Sequence, residues 1–167
     1  MTNKNMDQFD SLAALAKEGK YLTFALRNEE YGLEILKVRE IIGLMEITAI
    51  PNVPAYVRGV INLRGKVIPV IDLRLKFNLK EVDYTNETCV IVLNVNDLIM
   101  GIIVDRVCEV LDIAQQSIEP SPNFGANMRN DFIIGMGKIG DKVKILLNIE
   151  RILTEDASAM REVPATE

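Results

Sequence analysis

Two aspartates at the ends of apolar runs, a pair of cysteines and the absence of histidine set the limits of the chemistry this chain could perform. Asp72 and Asp105 each close an apolar run, and each is followed closely by an arginine, Arg74 and Arg106. Paired carboxylates suit general acid–base work when their environments split their pKa values. Nothing in this spacing requires the two to meet, and local ion pairs or strand-end caps would use them equally well. Cys89 and Cys108 lie in apolar β-like segments and read as small buried hydrophobes in a reducing compartment. A disulfide is the alternative, although no feature calls for one. The lack of histidine removes the commonest general base, the commonest metal ligand and any phosphoryl-carrying histidine. No nucleophile stands beside a base, and no glycine run is built to cradle a phosphate. The expectation is no enzyme, no cofactor and no metal, but a surface that holds a partner.

The elements that would shape such a surface are clearest at residues 57–74, Val-Arg-Gly-Val-Ile-Asn-Leu-Arg-Gly-Lys-Val-Ile-Pro-Val-Ile-Asp-Leu-Arg. Two apolar β-type runs flank the turn Arg64-Gly65-Lys66 and read as a hairpin. Pro69 cannot donate to a sheet ladder, so the second strand should lie at an edge or carry a bulge. Arg64 has two readings: a solvated turn side chain, or a guanidinium fork that anchors a partner or braces the fold.

The chain has 167 residues, 49% hydrophobic and 26% charged, enough for one domain with a sizeable core. No apolar run approaches the ~20 residues of a membrane helix, and the first twenty residues lack a signal-peptide core. A cytoplasmic location without direct membrane insertion is the default expectation. The net charge of -5, the absence of a basic cluster and the sparse aromatics (5%) argue against nucleic acid as a ligand.

The sequence also nearly repeats itself. Residues 21–35 and 89–104 each read as strand, turn and strand, with Gly32 matching Gly101, Val38 matching Val107 and Glu40 matching Glu109, an offset of 69. Further on, Gly59 matches Gly135, the turn at Gly65 has its counterpart at Gly140-Asp141, and Asp72 falls opposite Asn148, now at an offset of 76. Short strands with Gly and Pro turn signals indicate a small barrel. A unit of ~70 residues seldom stabilises itself alone. The expectation is two five-stranded barrels packed on each other, with strands open to exchange and no boundary drawn between them. The hairpin at residues 57–74 would be the last of the first barrel.

Three segments depart from the strand pattern. Phe9, Leu12, Leu15 and Ala16 recur at helical spacing, suggesting a short amphipathic helix or a loosely docked tail. Ile35, Val38, Ile41 and Ile42 do likewise and stop at Gly43, suggesting a second short helix. A last helix should start at Asn148 as N-cap and turn Ile149, Ile152 and Leu153 inward. Val38, Ile41 and Ile42 then have two readings: ordinary core, or the wall of a groove between barrels that a partner helix could use. Phe124, in a Pro-rich loop, is either a loop anchor or a projecting aromatic knob.

The string Glu-Tyr-Gly-Leu-Glu-Ile-Leu-Lys-Val-Arg-Glu-Ile at residues 30–41, together with residues 57–74, resembles the CheW family of bacterial chemotaxis coupling proteins. The resemblance continues through Gly101-Ile102-Ile103-Val104-Asp105 and Leu147-Asn148-Ile149-Glu150-Arg151-Ile152-Leu153. It implies a mainly β fold of two packed SH3-like barrels spanning about residues 18–158, with tails at 1–17 and 159–167. It implies a non-catalytic adaptor that binds the regulatory domain of the histidine kinase CheA and the cytoplasmic tip of chemoreceptors. Receptor contacts would fall at Val38, Glu40, Ile41, Arg64, Gly101 and Val110. Kinase contacts would fall at Ile47, Ile50 and Phe124. Asn78 stands where the family commonly has glycine, and asparagine tolerates the same left-handed backbone.

Overall fold

Each hairpin that ends a half of this chain closes against strands from the other half. A computed structural model describes residues 19–120 and 132–162; the expected helix around Phe9, the knob Phe124 and the last residues of the C-terminal tail lie outside them. The strands are β1 (Lys20–Leu26), β2 (Glu29–Glu34), β3 (Val38–Gly43), β4 (Val57–Leu63), β5 (Lys66–Asp72), β6 (Cys89–Val95), β7 (Leu98–Val104), β8 (Arg106–Asp112), β9 (Ile118–Glu119), β10 (Ile133–Ile139) and β11 (Lys142–Leu147). Helix α1 (Leu73–Lys76) follows β5, and helix α2 (Ile149–Glu162) follows β11. One sheet runs β8-β1-β2-β11-β10-β9 and the other β3-β6-β7-β5-β4.

That order realises the duplication with the halves interleaved. The hairpin β4–β5 lies parallel to β7, with Val70 opposite Gly101. The hairpin β10–β11 lies parallel to β2, with Leu146 opposite Gly32. The two offsets carry one pairing onto the other. The hairpin at residues 57–74 therefore does not finish the first barrel; it finishes the second, built around β6 and β7, while β10–β11 returns to finish the first. Pro69 sits where β5 has β4 on one side only, since pairing with β7 begins at Val70. The strand as a whole is internal, and the edge that proline demands is local.

The second expected helix is a strand. Only Ile35–Lys37 makes a helical turn, of the 3-10 kind, and β3 then pairs antiparallel with β6. A bulge between Val38 and Glu40 inserts one residue into the alternation. Val38 and Ile41 consequently share a face at a spacing of three, which imitates a helix in the sequence. The equivalent bulge lies in β8, between the residues opposite Thr23 and Phe24. There the Thr23 hydroxyl donates to the Glu109 carbonyl (2.8 Å) and accepts from the Glu109 N–H (3.1 Å).

A single central cluster joins the barrels: Leu22, Phe24, Leu26 and Leu33 from one sheet, Ile91, Leu93, Met100 and Ile102 from the other. Helix α2 seals it with Ile149, Ile152, Leu153 and Ala157. Asn148 caps that helix as expected, accepting from the Arg151 N–H at 3.2 Å. The helix runs through Glu162. Its buried Asp156 accepts from Tyr56 Oη (2.9 Å) and Lys76 Nζ (2.8 Å), anchoring it to α1. Each barrel also keeps a smaller core of its own, around Ile61, Ile68, Val70 and Val90 in the second and around Tyr21, Ile113 and Leu146 in the first.

Both parallel contacts need glycine. A Cβ on Gly101 would stand 2.6 Å from Val90 Cγ1 and 3.1 Å from Val70 Cγ1; one on Gly32 would stand 2.9 Å from Leu146 Cδ2. Gly101→Ala should therefore cost about 1–3 kcal/mol through overpacking, read as a lower urea midpoint at unchanged slope. An unchanged midpoint would show that the parallel strands have room to separate.

Asp105 links the halves by charge. Arg74 Nε and Nη2 each donate to it at 2.8 Å, as does the Arg27 N–H. Burial alone would raise the Asp105 pKa, but these bonds outweigh it and hold the carboxyl below its ordinary range. Glu30 is held low as well, chiefly by its bond from Lys144. A group whose folded pKa is depressed stabilises the fold above its unfolded value, and that stability is lost as pH falls through the folded one. Stability should thus be level from neutrality to about pH 5 and decline below it. Asp105→Asn should lower stability at pH 7 and flatten the acid decline in urea titrations; an unaltered decline would exclude Asp105 from it.

Candidate functional site

Asp72 and Asp105 are both engaged in structural hydrogen bonds. Asp72 accepts from the Leu75 N–H (3.3 Å), capping α1, and from Tyr84 Oη (2.9 Å), with Arg58 Nε at 3.8 Å. Tyr84 is pushed up to about 12 by burial, with Asp72 adding to the effect. Asp105 pairs with Arg74 and not with the adjacent Arg106. The two carboxylates therefore hydrogen-bond different partners, with Arg74 lying within electrostatic reach of both, and show no bond to each other as a dyad would. Burial pushes the Cys89 thiol up to about 11 and raises Cys108 too, so neither is a thiolate at neutral pH. Both cysteines are free. Among the described residues no three carboxylate or thiol side chains gather as a metal site would require.

What the fold does offer is two edge strands beside the central cluster. β3 ends one sheet and β8 ends the other. Val38 and Ile41 on β3, and Val107 and Val110 on β8, are half-buried hydrophobics packed against that same cluster. They are equivalents under the offset of 69, so the seam between the barrels has matching apolar walls. Val38, Ile41 and Val110, assigned to the receptor surface by resemblance, all pack against that one cluster. Gly101 is different: it is buried beneath β5 and β6 and presents no side chain. The structure supports a packing role for it, and a partner could sense it only through the strands around it.

Glu40 and Arg64 occupy the other face of β3, toward the second barrel's own core. Their side chains form an ion pair that ties the β4–β5 turn to the edge strand. Arg64 takes a left-handed backbone (φ 52°) at the turn, followed by Gly65 (φ 86°), whose N–H donates to Asn62 Oδ1 at 2.8 Å. The guanidinium remains two-thirds exposed (67%). Arg64 is therefore paired within the fold and accessible as well. Arg39, Glu40, Arg64 and Lys66 rim a shallow hollow of about 250 Å³ whose floor includes Leu63, Ile68, Val92 and Ile99.

Ile47 and Ile50 belong to the loop between β3 and β4. Thr48 exchanges both backbone hydrogen bonds with Val60 at 2.9 Å, pinning that loop to β4. Gly59 makes this possible, because a Cβ there would lie 2.0 Å from the Thr48 carbonyl oxygen. Ile47 packs against the second barrel's core, while Ile50, with Met45 and Val53, stays more than a third exposed. The loop thus displays an apolar strip apart from the Glu40–Arg64 hollow.

One pair escaped attention in the sequence. Lys144 is buried, and its Nζ donates to Glu30. The two offsets place Lys144 opposite Ile68 and Glu30 opposite Ile99, so the signal was present as a mismatch of polarity between the repeats.

Residues 20–157 match the CheW-like domain family. The chain is 43% identical to the chemotaxis protein CheW of Klebsiella aerogenes over 84% of this chain and 85% of that protein. It is 39% identical to that of Helicobacter pylori over 82% of each. Among solved structures it is similar to the scaffolding protein TtCheW of Thermoanaerobacter tengcongensis, with a TM-score of 0.74 and 36% identity, covering 81% of this chain and 92% of that one. By that match over most of its length, the chain belongs to the CheW family.

Proposed function

We propose that this chain is a non-catalytic adaptor of bacterial chemotaxis that couples chemoreceptors to the histidine kinase CheA and helps regulate its autophosphorylation. The observation that carries this reading is the seam, where half-buried Val38 and Ile41 face the same cluster as Val107 and Val110, within a chain that matches the family almost end to end. The cytoplasmic tip of a receptor, a helical hairpin, would lay apolar side chains along it, flanked by Glu40 and Arg64. The kinase's regulatory domain would dock at the strip around Ile47 and Ile50 and at Phe124. Holding both partners at once raises their effective concentration for each other and fixes their orientation. A change in receptor conformation then biases the kinase through contacts at both surfaces. No described helix is long and apolar enough to cross a membrane, which accords with a cytoplasmic chain recruited to receptor arrays.

The test mixes the purified chain with a receptor signalling fragment and the kinase, reading complex formation and autophosphorylation. Kinase activity should depend on the chain only when the receptor fragment is present. Arg64→Glu should weaken receptor binding at least tenfold, about 1.4 kcal/mol, while the kinase still binds. Failure of the wild-type chain to bind either partner well above micromolar concentration would defeat the adaptor reading.

A further inference from the structure

The loop between β3 and β4 displays Ile50 and Val53, each more than a third exposed, and it is held on both sides of them. Before them, Thr48 exchanges backbone bonds with Val60. After them, Tyr56 is held from three directions. Its carbonyl accepts from the Asp72 N–H (2.7 Å), its hydroxyl donates to Asp156 Oδ1 (2.9 Å), and Lys76 Nζ stands 4.3 Å from the centre of its ring. Lys76 Nζ also donates to Asp156 Oδ2 (2.8 Å), so one carboxylate on α2 serves both the loop and the end of α1. Between the two anchors, Pro51 and Pro54 fix their own φ, and the Pro54 carbonyl accepts from the Val57 N–H at 2.9 Å.

Asp156 is buried beside Ile152, Leu153 and Ala157, which α2 turns toward the central cluster. Those apolar contacts hold the helix down, but burial is non-directional and sets no angle for a neighbour. A hydrogen bond does, because it weakens steeply out of alignment. We propose that Asp156 is a positioning residue for kinase binding: through Tyr56 it holds the strip around Ile50 and Val53 in the shape that the kinase's regulatory domain recognises. The proposal rests on the reading that this strip faces the kinase. A surface already ordered in its bound shape loses less freedom on association. Were the strip in that shape only part of the time, the apparent dissociation constant would rise by the inverse of that fraction, and the loss would fall on the association rate.

Two variants release the anchor in different ways. Tyr56→Phe removes the hydroxyl alone. Asp156→Leu/Lys76→Met replaces both charges with apolar side chains, a change that buried ion pairs often tolerate. It removes one charge of each sign, so the net charge of -5 and its effect on diffusional encounter stay as they are. In stopped-flow mixing with the intact kinase, both variants should associate about three- to tenfold more slowly and dissociate within about twofold of the wild-type rate. Receptor-fragment binding should not change. Amide exchange in the free variants should quicken at Ile50, Asn52 and Val53 while α2 keeps its protection. A merely structural role would leave association at the wild-type rate in a double variant of wild-type melting temperature, and that result would overturn the proposal. Ile50→Glu separates this idea from the kinase reading. If it abolishes kinase binding while both anchor variants associate normally, the positioning role alone fails. If it leaves kinase binding intact, the strip does not face the kinase and both fail.

Discussion

The close parallel approach of β5 to β7, and of β11 to β2, is the constraint on which the rest of this molecule depends. At each crossing stands a glycine: a Cβ on Gly32 would come within 2.9 Å of Leu146, and one on Gly101 within 3.1 Å of Val70 and 2.6 Å of Val90 on the neighbouring β6. Parallel strands need a long connection. Between β5 and β7 that connection is the 25 residues 73–97, and between β2 and β11 it is the 107 residues 35–141, which contain the whole second barrel, so closing the first barrel commits both. The central cluster follows, because β1, β2, β6 and β7 each turn one face toward the shared interior. Asp105 with Arg74, and Asp156 with Lys76 and Tyr56, then fasten together groups from distant parts of the chain.

Near-symmetry and its breaking explain how such a frame becomes directional. The bulges in β3 and β8 are copies, and they turn Val38 and Ile41, and Val107 and Val110, toward one seam. The departures concentrate beside it. One turn carries an arginine paired with Glu40, whereas the other carries Gly140; one barrel has an aliphatic floor, the other a buried ion pair. Buried ion pairs contribute little net stability compared with apolar replacements of similar volume.

Much of this was legible in the sequence, for identifiable reasons. The hairpins, the Asn148 cap and the duplication announce themselves through turn glycines, alternation and a repeated spacing. β3 did not, because a one-residue bulge places Val38 and Ile41 three apart, which is also the spacing of a helix. The exchange of hairpins was legible only as an open possibility, since a sequence records which strands exist and not which copy each one joins. Pro69 gave a true but local signal, marking the half of β5 that lacks a second neighbour. Arg64 resisted a single assignment because its left-handed turn exposes it while its pairing with Glu40 restrains it.

The interleaving also bears on how an adaptor of this shape transmits anything. Two barrels joined by a simple linker could swing apart, and a partner bound at the seam would dissipate its motion in that hinge. Here opening the seam would separate both parallel pairings and expose residues such as Leu33, Leu93, Met100 and Ile102, each fully buried. At ~1.5–3 kcal/mol for each large side chain returned to water, the barrels cannot part without approaching global unfolding. Displacement at β3 or β8 must instead pass as a rigid-body shift, or through loops pinned to the frame such as the one Thr48 fixes to β4. That loop carries Ile47 and Ile50, so a force on the seam arrives at a second surface with its direction preserved. The fold contributes that stiffness because each barrel is closed by a hairpin from the other half of the chain.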